Sequence, residues 1–154
     1  TPLVPIGDEL LFGNYKACLN LGGFSNMSYK KGDKRLAFDI CPVNIILNEF
    51  SNKLGLQYDK NGEIGRSGKI IDSLLNEWNN LSFYKEQGPK SLGREFLNAY
   101  ILPFVKANMQ IEDVLRTAYE HISVKISVIN STTSIKRIGI LSLENYASLH
   151  VEIY

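Results

Sequence analysis

The sequence predicts an α/β fold in which a mixed sheet is flanked by helices. Short apolar stretches separated by turn residues begin the chain and return near its end, which is typical of strands. Between them, apolar residues recur every three or four positions over longer segments, which is typical of helices. With 44% hydrophobic and 21% charged residues, residues 1–154 are expected to form a single packed α/β unit.

Three short strands are predicted at residues 16–21, 26–29 and 36–40. The first strand ends on the Gly-Gly pair at 22–23, and residues 30–33, Lys-Lys-Gly-Asp, separate the second strand from the third. Gly and Asp suit a hairpin turn. An antiparallel meander is therefore the simplest arrangement.

Helical spacing starts after the third strand. Apolar residues at 43, 46, 47, 50 and 54 share one face of a helix that Gly55 is expected to end. A second helix is predicted at residues 70–81. Residues 57–69, with three glycines, are interpreted as a loop between the two helices.

The second half of the chain continues with helices and closes with a strand. A short helix is predicted at residues 95–102, stopped by Pro103. The longest apolar stripe predicts a helix over residues 111–129, ended by the polar residues 130–134, and a strand is predicted at 136–141. The predicted order is strand, strand, strand, helices, strand.

The charge balance excludes several classes of partner. Seventeen Lys plus Arg against sixteen Asp plus Glu give a net charge of +1, which does not suit a general binder of nucleic acids or membrane surfaces. No apolar run approaches the roughly 20 residues that span a bilayer, and no charged leader precedes an apolar stretch. A cytoplasmic protein with no nucleic-acid or membrane partner is expected.

The cysteines and histidines do not form a recognisable metal or catalytic motif. Cys18 and Cys41 lack the spacing that holds zinc and are expected to be reduced. His121 and His150 lack the partners of a triad or a metal site and are expected to be surface or packing residues.

The Gly22-Gly23 pair is the first candidate binding element. At the tip of a strand, absent side chains let backbone N–H groups approach a phosphate closely, and Asn20 and Asn26 would add side-chain donors. The same pair is also explained by a tight turn that needs positive φ. The residues alone favour the turn, and phosphate contact is the alternative.

Asp39 is the candidate general base. It ends a strand and precedes a helix, and carboxylates at the carboxyl ends of strands in α/β folds face the ligand crevice. The alternative is that Asp39 caps the helix that starts near Val43. Neither interpretation is favoured by the sequence.

The segment 88–95 is a further candidate, because it combines two cations, a hydroxyl and a carboxylate with glycines. Lys90, Ser91, Arg94 and Glu95 would suit a polar ligand. The alternative, which the residues alone favour, is a loop in which Ser91 to Glu95 cap the next helix.

Six blocks follow one another between Pro2 and Phe96, and together they resemble one family. They are Pro2-Leu3-Val4-Pro5, residues 19–26, Phe38-Asp39-Ile40-Cys41-Pro42-Val43-Asn44, Tyr58-Asp59-Lys60-Asn61-Gly62, Gly68-Lys69 and Pro89-Lys90-Ser91-Leu92-Gly93-Arg94-Glu95. The order resembles the anhydro-N-acetylmuramic acid kinases. The resemblance implies a ribonuclease H-like lobe of the actin, Hsp70 and sugar kinase class. Residues 1–154 would be part of the second lobe of a two-lobe kinase.

The resemblance also implies a reaction. Family members use ATP to phosphorylate the 6-oxygen of 1,6-anhydro-N-acetylmuramic acid while water opens the anhydro ring, giving N-acetylmuramic acid 6-phosphate in peptidoglycan recycling. The implied small molecules are the sugar, ATP and Mg²⁺, and the full-length protein could be a homodimer. Asp39 would activate the water. Asn20, Gly22, Gly23 and Asn26 would lie by the nucleotide phosphates; Asn44, Lys90, Ser91, Arg94 and Glu95 would be substrate-side or structural; no residue is assigned to the metal.

The departures from the family are as informative as the matches. Many relatives have Asp-Thr-Gly-Pro-Gly-Asn where this chain has Ile40, Cys41 and Val43 in place of Thr and both glycines. Residues 1–154 do not contain the Ser-Gly-Thr-Ser segment that the family carries in its N-terminal lobe, and residues 142–154 have no glycine where a glycine-rich adenosine loop is expected. The hypothesis for residues 142–154 is a frame shift or truncation. The chain alone is therefore expected to be inactive. The alternatives are a non-catalytic remnant or binding module of the same fold, and an N-acetylglucosamine kinase.

Overall fold

The computed structural model describes residues 3–86, 90–133 and 138–142. Residues 87–89, where Gly88 and Pro89 predict a turn, and the segment 143–154, which includes His150, lie outside the described residues. Within them, four strands form one mixed sheet in the order β3-β2-β1-β4. The strands are β1 (Ala17–Leu21), β2 (Phe24–Lys31), β3 (Lys34–Pro42) and β4 (Ile138–Ser142).

The sheet confirms the predicted meander. β1 pairs with β2 and β2 with β3 in antiparallel fashion, whereas β4 runs parallel to β1. The β2–β3 hairpin is longer than predicted, because pairing continues to Lys31 and Lys34 around a two-residue turn. Gly32 in that turn has a φ of 62°, a value that favours glycine.

Six helices accompany the sheet in the described part of the chain. They are α1 (Leu3–Phe12), α2 (Asn44–Lys53), α3 (Glu63–Ser67), α4 (Asp72–Asn79), α5 (Arg94–Phe96) and α6 (Ile111–Thr133). The helices predicted at 43–54 and 70–81 correspond to α2 and α4. None of these helices is both long and apolar enough to cross a membrane.

The prediction of a loop at residues 57–69 is wrong. A 3₁₀ turn at Lys60–Gly62 leads directly into α3. The Asp59 carboxylate accepts hydrogen bonds from the backbone N–H groups of Ile64 and Gly65, both at 2.9 Å, and so satisfies the first turn of α3. Three glycines had suggested a loop, but this cap outweighs their low helix propensity.

Three further features of the helices differ from the predictions. Helix α1 was not predicted at all. Pro103 does not stop a helix: α5 continues through a π turn (Leu97–Ile101) into a 3₁₀ turn (Leu102–Phe104), where proline near the start forfeits no helical hydrogen bond. Helix α6 does not end before the polar residues but extends to Thr133, because a polar side chain does not prevent the backbone from donating to the preceding turn.

The two faces of the sheet have different environments. Alternate residues of a strand point to opposite faces, and Ala17, Leu19 and Met27 enter the core that also contains α2, α4 and α6. Trp78 of α4 is fully buried there and donates its Nε1–H to the carbonyl of Ile101 at 3.1 Å. The other face, which carries Cys18 and Ser28, meets α1.

The α1 contact is polar. Asp8 is buried, and its Oδ2 accepts a hydrogen bond of 2.5 Å from Ser28 Oγ. Arg35 reaches the same point and donates to Ser28 Oγ at 3.0 Å. Cys18 and Cys41 are both free thiols and both buried, in agreement with the prediction that they are reduced.

His121 is buried and is a packing residue, which is one of the two roles expected from the sequence. Its Nδ1 lies 2.8 Å from Asn79 Oδ1 and its Nε2 lies 2.9 Å from the Tyr84 hydroxyl. The amide oxygen accepts from Nδ1–H, so Tyr84 donates to Nε2 of a neutral ring. Burial, with a smaller effect from the Lys125 charge, lowers the pKa of His121 to about 3.

We predict that stability falls as the pH drops through the range set by this histidine. The pKa of His121 is about 3 in the folded protein and 6.5 for an ordinary histidine. The contribution of the neutral ring to the free energy of unfolding is therefore full above pH 6.5 and is lost as the pH falls from 6.5 towards 3. The slope approaches about 1.4 kcal/mol per pH unit. Urea unfolding between pH 7 and 4 should show a steeper loss for the wild type than for His121→Gln. Equal slopes would contradict the prediction.

Candidate active site at the carboxyl edge of the sheet

Three strands end at the same edge of the sheet. β4 is parallel to β1, and β3 runs in the same direction as β1 because both are antiparallel to β2. In open α/β sheets, ligands bind outside the carboxyl ends of such strands. This edge is therefore the place to look for a site.

Three of the predicted site residues form one row across the sheet near this edge. Asn20 of β1 pairs with Asn26 of β2, and Asn26 pairs with Asp39 of β3. Residues that are directly opposite on antiparallel strands share a face. We call Asn20, Asn26 and Asp39 the polar row. It lies on the α1 side of the sheet, because Asn20 is two residues after Cys18 in β1 and Asn26 is two residues before Ser28 in β2.

A β-bulge in β3 next to the polar row determines which residues of the strand face the site and which face the core. Ser25 pairs with Cys41 while Asn26 pairs with Asp39, so Ile40 is the extra residue. Ser25 Oγ closes the bulge by donating to the Cys41 carbonyl at 3.1 Å and accepting the Cys41 N–H at 3.2 Å. Cys41 is fully buried, and burial raises the pKa of its thiol to about 11.

Asn20 has an unmet hydrogen-bonding need. Its Oδ1 is buried and, within the described residues, has no hydrogen-bond partner. Buried polar atoms in native structures are nearly always paired. An orphaned amide oxygen in the polar row therefore indicates a place where a bound group is expected to interact.

The Gly22-Gly23 turn is not explained by backbone strain. Neither glycine has a positive φ, so the interpretation as a turn that needs positive φ is wrong. A Cβ added at Gly23 would meet nothing within 4 Å, and one at Gly22 only the Phe24 carbonyl at 3.7 Å. Packing within the described chain does not require glycine there either. The missing side chains leave open space outside the turn.

The carbonyls of this turn hold the start of α2. Gly23 accepts from the N–H groups of Val43 at 2.9 Å and Ile45 at 3.2 Å, and Gly22 accepts from Asn44 at 3.2 Å. The first N–H groups of α2 are thus already bonded. A phosphate would have to be bound by other groups than this helix N-terminus.

Asp39 does not cap α2. Val43 stands at the N-cap and no side chain bonds to the helix start. Instead, Asp39 holds the segment 90–92, which we call the edge segment, against the outer side of β3. The Asp39 N–H donates to the Lys90 carbonyl at 2.9 Å, and Asp39 Oδ2 accepts from the Leu92 N–H at 2.7 Å and from Ser91 Oγ at 3.2 Å. The interpretation of Asp39 as a helix cap is wrong.

The expectation that Ser91 to Glu95 cap the next helix is also wrong. Gly93 is the N-cap of α5, and no side chain bonds to that helix start. Ser91 donates to Asp39 instead. Glu95 is exposed beside Gly93 and stays outside the polar row.

Both predicted cations of this segment make structural contacts. Lys90 Nζ donates to the carbonyls of Phe83 at 2.7 Å and Glu86 at 3.2 Å, and it lies 4.3 Å from the centre of the Phe83 ring. Burial lowers the pKa of Lys90. Arg94 is largely exposed and makes a loose ion pair of 3.8 Å with Glu49. Asn44 lies at the start of α2, beside the Gly22-Gly23 turn.

Residues 1–140 match a model of the anhydro-N-acetylmuramic acid kinase family. This chain belongs to that family. Curated kinases of the same name are similar to it. The chain is 41% identical to the kinase of Pseudomonas syringae pv. syringae over 102 residues, or 63% of this chain, and 40% identical to that of Pseudomonas fluorescens over 114 residues, or 70% of this chain. It is 38% identical to that of the gamma-proteobacterium EBAC31A08 over 135 residues, or 84% of this chain.

The chain covers a minor part of these kinases. The matches span 28%, 30% and 36% of the three relatives, so the chain spans about a third of the length of the kinases it resembles. The positions at which it departs from the family pattern are all buried: Ile40 is 3%, Cys41 0% and Val43 7% exposed. Their side chains belong to the hydrophobic core.

We predict that Asp39→Ala releases the edge segment. The Leu92 N–H loses a carboxylate acceptor, and hydrogen bonds to charged groups are among the stronger ones. Exchange of the Leu92 amide with deuterium should accelerate by at least about tenfold, as measured by NMR. Asp33→Ala in the hairpin turn is the matched control and should leave this rate unchanged. An unaltered Leu92 rate in Asp39→Ala would contradict the geometry.

Proposed function

We propose that this chain is part of an ATP-dependent kinase that converts 1,6-anhydro-N-acetylmuramic acid to N-acetylmuramic acid 6-phosphate for peptidoglycan recycling. The observation that carries the proposal is the polar row beside the open Gly22-Gly23 turn. It brings the family's expected base and its expected phosphate-side residues to one edge of one sheet. Such an ATP-dependent enzyme would act in the cytoplasm.

The sheet also supports a fold assignment for the lobe. Three antiparallel strands are followed, after a helical region, by a strand parallel to the first. We propose that this is the ribonuclease H-like unit of the actin, Hsp70 and sugar kinase class. Residues 1–154 would then be part of the second of two lobes, with the ligands bound between them.

Asp39 is proposed as the base that activates water. Its Oδ2 is occupied by two donors of the edge segment, while no described residue donates to Oδ1. Oδ1 can therefore take a proton from a water that attacks the anomeric carbon. As the new bond between water oxygen and carbon forms, the bond from that carbon to O6 breaks, and O6 takes the γ-phosphoryl group of ATP to leave ADP. A carboxylate opposite the leaving oxygen is the arrangement of inverting glycosidases.

Asn20, Asn26 and the Gly22-Gly23 turn are proposed to face the phosphates of ATP. The amide N–H groups of both asparagines are suitable donors, and the missing Cβ atoms let phosphate oxygens approach the turn. Because the N–H groups at the start of α2 are bonded to the turn itself, the phosphates would be bound by side chains and turn backbone rather than by this helix.

The residues present fit a magnesium ion that is held mainly by ATP. Among the described residues no group of three or more His, Cys, Asp or Glu side chains could hold a metal. Mg²⁺ in kinases needs only one or two protein oxygens beside phosphates and waters. Asn20 Oδ1, buried without a partner, is an oxygen that could accept from a Mg²⁺-bound water. When bound, the ion neutralises charge on the phosphates.

A second candidate function is binding of nucleotide or muramyl sugar without turnover. It is favoured by the contacts of the two cations predicted for the site, because Lys90 donates to backbone carbonyls and Arg94 pairs with Glu49. A cleft between two lobes excludes water and orients both substrates, which one lobe cannot do. We therefore expect no ADP release from the chain alone.

An experiment on a joined kinase separates the two functions. In this protein, residues 1–140, the part that matches the family model, replace the corresponding segment of the Pseudomonas syringae relative. We expect ADP release that requires the anhydro sugar. Asp39→Asn should lower kcat by about 10²–10⁴-fold, the usual contribution of a general base, and Asp33→Asn is the matched control. A joined kinase that folds and binds ATP but does not turn over would favour the binding module; full activity in Asp39→Asn would contradict the role of Asp39.

The Gly22-Gly23 turn provides an independent prediction. Gly23→Val should raise the KM of the joined kinase for ATP at least about tenfold, since side-chain atoms would fill the space proposed for phosphate. The unfolding free energy should change little, because a Cβ there meets no atom within 4 Å. Gly7→Val in α1, where a Cβ also meets nothing within 4 Å, is the control. An unchanged KM for ATP would place the phosphates elsewhere.

A further inference from the structure

We infer that Ser91 is a positioning residue that fixes the orientation of the Asp39 carboxylate. The inference rests on the proposed function, because it assigns to Ser91 a task in the same reaction. The sequence offered Ser91 only as a substrate-side or structural residue, or as part of a helix cap. The structure places its hydroxyl on the carboxylate instead.

The edge segment is attached to β3 at successive points. The Lys90 carbonyl accepts the Asp39 N–H at 2.9 Å, and two residues later the Leu92 N–H donates to Asp39 Oδ2 at 2.7 Å. Backbone and side chain of one residue thus bind both ends of a three-residue segment. The position of Ser91 between these contacts is therefore set by the backbone.

The Lys90 side chain secures the segment from its other side. Its ammonium group donates to the carbonyls of Phe83 and Glu86 and lies over the Phe83 ring. These contacts connect the edge segment to the 3₁₀ turn at Ser82–Lys85. A hydrogen-bond donor on an anchored segment can fix the orientation of a carboxylate. A donor on a mobile loop would instead move together with the carboxylate.

Two hydrogen-bond donors on Asp39 Oδ2 leave the other carboxylate oxygen, Oδ1, to act as the base. The Ser91 hydroxyl and the Leu92 N–H both point to Oδ2. The Leu92 N–H alone would leave the carboxylate free to turn about that single bond. A second donor on the same oxygen restricts the rotation and leaves Oδ1, to which no described residue donates, to bind the water.

Ser91 is better explained as a positioning residue than as a sugar ligand. A serine hydroxyl has one hydrogen to donate, and here it is given to Asp39 at 3.2 Å. Although Ser91 is exposed, its hydroxyl hydrogen is already used in the bond to Asp39. Loss of the hydroxyl should therefore reduce the rate of the chemical step and leave substrate affinity nearly unchanged.

The test compares two variants of equal shape, Ser91→Thr and Ser91→Val, of which only the first keeps the hydroxyl. In the chain itself, NMR couplings from the Asp39 Cγ to its backbone N and carbonyl carbon report the side-chain rotamer. We expect one rotamer in the wild type and in Ser91→Thr and averaged couplings in Ser91→Val. Equal couplings in the two variants would overturn the inference whether or not the chain is part of a kinase.

The same pair is then measured in the joined kinase. Ser91→Val should lower kcat about tenfold or more with the KM values for ATP and sugar within about twofold, and Ser91→Thr should recover most of the loss. A raised sugar KM at unchanged kcat would make Ser91 a substrate ligand and overturn the inference. An inactive Asp39→Asn beside a fully active Ser91→Val would overturn the inference alone, whereas an active Asp39→Asn would overturn the proposed function as well.

Discussion

The arrangement of the candidate site depends on one extra residue in β3. The bulge at Ile40 lets Asp39 stay paired with Asn26, while Cys41 lies in the core and its backbone forms hydrogen bonds with Ser25 Oγ. With regular pairing, Ser25 would lie opposite Ile40 instead of Cys41. Cys41 would then belong to the opposite face of the sheet. A one-residue change of register moves every following side chain to the other face. The bulge thus reconciles a polar row on one face with a closed core on the other.

The second constraint couples the sheet to α2. The carbonyls of Gly22 and Gly23 accept the N–H groups at the start of that helix, so the turn after β1 and the helix after β3 hold each other in place. The three apolar residues Ile40, Cys41 and Val43, which lie between Asp39 and α2, are all buried. Their side chains belong to the hydrophobic core, while the backbone N–H of Val43 donates to the Gly23 carbonyl of the turn.

The sequence predicted the elements whose pattern is local. The meander, α2, α4 and the last strand follow from apolar periodicity, and Asp39 was identified as a candidate base from its place at a strand end. What it could not predict depends on contacts between distant residues. The Asp59 cap on α3 needs a carboxylate to meet N–H groups across a turn. The Leu92 N–H is a backbone group without any residue signature, so its bond to Asp39, 53 positions away, had no signal in the sequence.

In the proposed reaction, this chain would supply only some of the groups that catalysis needs. This chain supplies a fixed carboxylate, two asparagines and an open turn, but the predicted cations of the site are engaged elsewhere: Lys90 by the Phe83 and Glu86 carbonyls, Arg94 by Glu49. A triphosphate carries several negative charges, and asparagine amides do not neutralise them. The balancing charge would have to come from Mg²⁺ and from protein groups outside the described part of the site. Base catalysis would then depend on this lobe, and charge stabilisation of the phosphates on what closes over it.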